Sequence, residues 1–178
     1  IRDSSTSRGL ADVYKRQPVV YLNVPSQEMK NVTQKLLEDG LPVWMGCDVG
    51  KQMHRERGLW DAKLFDFAEL YGAKFGMDKA NRLRYSQTMM THAMLFTGVD
   101  VIDGVPRRWR VENSWGAKKS GEEGFYTMND SWYDEHMFEI AAPTGYLNDK
   151  MKKGLSTTPV VLPAWDPMGS LARDEAAL

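Results

Sequence analysis

Apolar residues recur on two different periods along this chain, and the switches between the periods mark out its elements. Met29, Val32, Leu36 and Leu37 fall on one helical stripe after Ser26 and before Gly40. That spacing predicts an amphipathic helix with Ser26 as N-cap and Gly40 as its stop. Residues 41–49, apolar but for Asp48, are of strand length and predict a buried strand. The pattern over 51–76 is mixed, with a short helix expected around 63–70. Period two governs 89–101 and 107–115, which predict two strands. In the second of these, Trp109, Val111, Asn113 and Trp115 share one face, and Arg108, Arg110, Glu112 and Ser114 share the other. Residues 124–128 predict a third strand, 131–136 a helical turn, 138–142 a further strand, and 150–153 the end of a helix. The fold class that follows is α+β.

Asp103-Gly104 joins the two period-two segments and is a strong hairpin signal, because a type I′ turn needs positive φ at both of its central residues. With that turn, residue i pairs with residue 207 − i. His92 then faces Trp115, Met94 faces Asn113, Phe96 faces Val111 and Gly98 faces Trp109. Asn113 becomes the diagonal neighbour of His92 on one sheet face, within side-chain reach. Pro106 sits beside the turn, where a missing donor is best tolerated. A one-residue bulge would move half of this pattern to the other face.

That neighbourhood has a chemistry. An imidazole that activates a thiol must be held in one tautomer and orientation by a partner on its other ring nitrogen. Asn can do this while neutral, which leaves the charge of the imidazolium free to stabilise a thiolate. A Trp two residues beyond the Asn can cover the hydrogen bond and exclude water from it.

Length and composition narrow the setting. With 178 residues one domain is expected, and 42% hydrophobic residues suffice for a core. A net charge of −1 gives no general field for nucleic acid or a membrane surface. A single Cys rules out an intrachain disulfide and suits a reducing compartment. No segment has the length and apolarity of a membrane span or a signal-peptide core, so a cytoplasmic location is expected.

Four stretches carry a resemblance. They are Val-Trp-Met-Gly-Cys-Asp-Val-Gly-Lys at 43–51, Met-Thr-His-Ala-Met at 90–94, Trp109 onward to Asn-Ser-Trp-Gly at 113–116, and Leu-Pro-Ala-Trp-Asp-Pro-Met-Gly at 162–169. Asn-Ser-Trp-Gly alone indicates only the papain-like superfamily. With the Trp-Asp-Pro-Met-Gly ending, the chain resembles the C-terminal part of the bleomycin hydrolase and bacterial aminopeptidase C family. The resemblance implies that residues 18–158 are the barrel-like, His/Asn-bearing half of a papain-like cysteine peptidase, followed by an extended arm at 159–178. Residues 1–17 match nothing in that pattern and are expected to be an unrelated or disordered leader.

By the same resemblance, His92 is the general base and then acid, Asn113 its orienter and Trp115 the shield. The nucleophilic Cys belongs to an N-terminal part outside this chain, so the chain alone is expected to be inactive. No metal or organic cofactor is implied. The implied partners are peptide substrates, cut at the N-terminal residue, and further copies of the chain in a homohexamer, with no membrane. The family's arm lies in the active-site cleft, where its terminal carboxylate meets the substrate's free amino group. Family members end near Leu171-Ala172, which gives Ala172 that role, but Arg173 to Leu178 follow here.

The remaining candidates read as structural. Cys47 ends a strand and precedes Asp48, whose charge raises a thiol pKa, so it is expected to be a buried core residue. His54 is expected in a solvated loop, and His136 on a helix surface. Arg107-Arg108-Trp109-Arg110 has the basic and aromatic mixture of a nucleic-acid contact. It also fits a strand whose Arg108 and Arg110 face solvent, so nucleic acid is not an expected partner. The rival to the peptidase is a non-catalytic papain-fold binding module, with weak nucleic-acid contact as its variant.

Overall fold

Strand pairing in the structure, a computed structural model that describes residues 20–117 and 121–168, joins seven strands into one sheet. They are β1 (Val43–Cys47), β2 (Met53–His54), β3 (Leu59–Trp60), β4 (His92–Ile102), β5 (Val105–Glu112), β6 (Phe125–Asn129) and β7 (Met137–Ile140). Their order across the sheet is β2-β3-β6-β5-β4-β1-β7. The β3–β6 pair is parallel, and the rest are antiparallel. Five α-helices among the described residues complete the element set. They are α1 (Ser26–Glu38), α2 (Phe67–Tyr71), α3 (Lys79–Arg84), α4 (Asp130–His136) and α5 (Asp149–Leu155). The sheet forms a half-barrel with helices against it, the α+β architecture read from the pattern. No helix among the described residues is long and apolar enough to cross a membrane. The leader at 1–17 and the chain end, Ala172 included, lie outside the described residues.

Helix α1 buries the expected stripe, Met29, Val32 and Leu36, together with Lys30 and Thr33. Ser26 is not its cap. Pro25 precedes the helix and its carbonyl accepts from Glu28 and Met29 N–H, so the helix begins one residue earlier than a Ser26 cap requires. The Ser26 hydroxyl instead lies 3.5 Å from Lys79 Nζ. Gly40 ends the helix as expected: with φ +78 it lets Gly40 N–H reach Leu37 O and Leu41 N–H reach Leu36 O. Lys30 then ties α1 to α4, with Nζ 2.7 Å from Asp130 and 2.8 Å from Asp134. Beside it the hydroxyls of Thr33 and Tyr133 share a 2.9 Å hydrogen bond.

The core lies between the sheet and these helices, and its largest side chains are aromatic. Trp60, Trp109, Trp132, Tyr133 and Phe96 are fully buried. Trp109 stands 4.9 Å from Tyr133 and 5.4 Å from Phe96 between ring centroids, and its indole N–H donates to Asp130. The inward-facing Trp109 and Val111 on β5 alternate with exposed Arg108, Arg110 and Glu112, the solvated face read from the sequence.

The hairpin of β4 and β5 turns at Asp103-Gly104, both with positive φ as a type I′ turn demands. The expected register holds at its two ends, with Ile102 opposite Val105 and Phe96 opposite Val111. It fails between them: Gly98 faces Arg110, and Trp109 faces Val99. One extra residue bulges from β4 at Thr97 and another from β5 at Arg107, so the two shifts cancel. The bulge turns apolar Val99 towards Trp109 and leaves Asp100 outward against Arg108.

Other segments depart in smaller ways. The short helix expected around 63–70 is α2, capped by the Asp66 carboxylate on Glu69 N–H. Helix α3, capped by Asp78 on Asn81 N–H, and the two-residue strands β2 and β3 had no counterpart in the reading above. Along the described part of the arm, Val160, Val161, Leu162 and Trp165 are exposed, and residues 166–168 are half-buried.

Candidate active site

His92 opens β4, and Asn113 follows directly after β5. Because the register near this end is the one the turn dictates, the two residues meet diagonally across the strand pair. His92 Nε2 and Asn113 Oδ1 are 2.9 Å apart. A carbonyl oxygen can only accept, so the imidazole donates from Nε2 and Nδ1 stays outside this bond. Asn113 is buried, and its backbone N–H donates to Gly124 O on the chain that leads into β6. Its Nδ2 has no partner among the described residues, so the oxygen end is the one committed.

Trp115 covers this bond. Its ring stacks on the imidazole at 5.1 Å and 29°, with the Tyr126 ring edge-on at 6.1 Å. An indole so placed removes water from around the hydrogen bond and strengthens it. The three residues singled out in the sequence are therefore brought together. Ala172 lies outside the described residues, so nothing joins it to them.

Two contributors were not foreseen. Thr91, just before His92, donates its N–H to Cys47 O at 2.9 Å, and its hydroxyl accepts Val49 N–H at 3.1 Å. These bonds pin the start of β4 to β1. Arg55 places its guanidinium carbon 5.1 Å from the Trp115 ring centre. Thr91 lies within the Met-Thr-His-Ala-Met stretch, but its role, like that of Arg55, depends on contacts distant in the chain.

Cys47 stands opposite His92 in the β1–β4 register, a proximity that a separation of forty-five positions conceals. The thiol is fully buried, and burial followed by the Asp48 charge pushes its pKa up. A buried thiol held protonated is a poor nucleophile, so Cys47 packs the core as expected.

Two histidine expectations are corrected. His54 is half-buried on β2, opposite Leu59, and its Nδ1 accepts Arg57 N–H at 3.4 Å. His136 is buried at the end of α4, where the helix runs straight into β7, and its ring packs beside Trp132, one turn earlier on the same helix. Burial, and then the charges of Arg82, Lys79 and Lys51, hold its pKa down to about 3.

Comparison with known proteins gives a consistent picture. A family model described as the Peptidase C1-like family matches residues 5–169, a span that begins inside the segment expected to be a leader. Aminopeptidase C of Listeria innocua is 40% identical over 163 residues, which are 92% of this chain and 37% of that protein. Human bleomycin hydrolase is 38% identical over 167 residues, 92% of this chain and 36% of that protein. Among solved structures, PepW from Lactobacillus rhamnosis HN001 superposes with a TM-score of 0.82 at 38% identity, covering 85% of this chain and 34% of that one. The chain thus spans little more than a third of the length of these relatives.

Proposed function

Because the chain belongs to the Peptidase C1-like family, we propose that His92 is the acid–base of a cysteine aminopeptidase and Asn113 the residue that orients it. The observation that carries this reading is the 2.9 Å bond from His92 Nε2 to Asn113 Oδ1 beneath the Trp115 ring. It leaves Nδ1 as the one basic position able to take a thiol proton.

In this mechanism the thiol comes from a part of the peptidase beyond these residues. His92 Nδ1 removes its proton, and the sulfur bonds to the carbonyl carbon of the substrate's N-terminal residue. The imidazolium then returns the proton to the departing amine as the C–N bond breaks. Water, deprotonated by the same nitrogen, releases the acyl group and restores the thiol. Asn113 holds the ring through both transfers while neutral, and Trp115 keeps water from competing for that bond. No metal or cofactor takes part. The substrates are short peptides with a free N-terminus. The location is cytoplasmic, the assembly is a homohexamer by resemblance to bleomycin hydrolases, and a carboxylate at Ala172 would set the substrate's position once the residues beyond it are trimmed.

The test is a chimera in which this chain replaces the matching 163 residues of Listeria innocua Aminopeptidase C. It should hydrolyse aminoacyl fluorogenic substrates, whereas the 178-residue chain alone should not. His92→Ala should lower kcat by about 10³-fold or more, and Asn113→Ala by about 10- to 100-fold, since Asn113 transfers no proton. An active chimera whose turnover survives both substitutions would exclude these roles.

A further inference from the structure

Trp115 lies beyond the last paired residue of β5, so no strand ladder fixes it, yet the proposed mechanism needs its ring to stay over the His92–Asn113 bond. Among the described residues, the His92 imidazole, the edge-on Tyr126 and the Arg55 guanidinium contact that ring, and Arg55 is the one of these with a permanent charge. It comes from the turn between β2 and β3, far from the hairpin in sequence.

That turn is held firmly. Gly58 N–H donates to Arg55 O at 3.2 Å, and Arg57 N–H donates to His54 Nδ1. Thr127 N–H donates to Gly58 O at 2.8 Å, which fastens the turn to β6. Gly58 also packs so closely on Gly121 that a Cβ there would come within 2.5 Å of the Gly121 Cα. The backbone of Arg55 is therefore fixed relative to the sheet that carries Trp115. Arg55 has no carboxylate partner among the described residues. A guanidinium within about 6 Å of an indole face is attracted by the ring quadrupole.

We propose that Arg55 is a positioning residue: it clamps Trp115 over the His92–Asn113 hydrogen bond and so keeps that bond dry and the imidazole in its working tautomer. The role rests on the reading of His92 and Asn113 given above, but its test needs no peptidase activity. The probe is the proton on His92 Nε2 in the 178-residue chain, observed by NMR as a low-field line together with its exchange rate with water. A surface cation–π contact corresponds to a factor of about two to five in an opening equilibrium. Arg55→Ala should therefore speed exchange of this proton by about two- to five-fold. The amide protons of Phe96 and Val111, deeper in the same hairpin, should keep their rates. Arg55→Lys, which retains a cation on a long stem, should restore most of the protection.

Arg55 is exposed, so its replacement leaves the core intact. Unchanged exchange in Arg55→Ala would overturn the clamp. So would an equal rise at Phe96 and Val111, because Arg55 would then act through general stability. A Lys variant no better than Ala would show that charge is not the agent. Loss of the Nε2 line in the unmodified chain would defeat the His92–Asn113 assignment itself, an outcome distinct from the other three.

Discussion

Acidification should destabilise this protein through one buried imidazole, His136. His136 is only 9% exposed and stands 5.0 Å from the Trp132 ring. Its pKa is held at about 3 against an ordinary 6.5, by burial first and by Arg82, Lys79 and Lys51 after it. Below pH 6.5 the unfolded chain binds a proton on this ring that the folded chain refuses. The unfolded state then holds more protons, so stability falls as pH falls, beginning near 6.5 and continuing towards 3. From these two values the loss between about pH 8 and pH 5 is roughly 2 kcal/mol, and by about pH 4 roughly 3 kcal/mol.

The assay is urea unfolding across that range, with His136→Phe measured in parallel. Phe keeps a flat ring against Trp132 and cannot titrate. Any cost of fitting its larger ring is the same at every pH, so only the slopes are compared. Contributions from all other titratable groups are common to both proteins and cancel. The unmodified chain should lose about 2 kcal/mol more than the variant between about pH 8 and pH 5. Parallel profiles would show that His136 is protonated in the folded state, and the desolvation argument would be wrong.

Two further outcomes follow from the packing. Lys30→Met keeps an aliphatic chain but removes the ammonium that lies over Tyr133 and pairs with Asp130 and Asp134, whose side chains are 23% and 49% exposed. Solvent reaches both, so the loss should be about 2 kcal/mol, below that of a fully buried pair, read as a lower urea midpoint at unchanged slope. Gly58→Ala forces a side chain into a residue at φ +58 and against the Gly121 backbone. It should cost about 2 kcal/mol and lower Tm by about 4–8 °C, and an unchanged Tm would refute the close approach.

The site was legible where chemistry and period coincide. His92 and Asn113 come together because the register near them matches the one the Asp103-Gly104 turn sets, and both the turn and the alternation along β5 are local features. Helix α1 was legible for the same reason, since Met29, Val32 and Leu36 mark its buried face. What escaped depends on partners distant in sequence. Strands β2 and β3, two residues each, are too short to show a period, and β3 exists because it pairs with β6. Ser26 looked like a cap because serine caps helices, but Pro25 ahead of it already sets the entry. His136 looked exposed because Ser131, Asp134 and Glu135 surround it. Burial came from the sheet that α4 meets, which no local pattern encodes.

The compensated bulges show how the fold reconciles packing with the site. Between Thr97 and Arg107 the hairpin is shifted by one, which puts Val99 on Trp109 and lets Asp100 stand opposite Arg108. The unshifted pairing would set Gly98 against Trp109 and turn Val99 to solvent, emptying part of the core beside the largest side chain in the hairpin. A single bulge would fix that packing at the expense of the site, because every residue beyond it would change face relative to its partner. Asn113 would then point away from His92. The second bulge cancels the first, so Leu95 again faces Glu112 and Phe96 faces Val111 in the frame set by the turn. The diagonal meeting of His92 with Asn113 thus depends on two irregularities whose effects sum to zero, and the core gains Val99 without disturbing the imidazole.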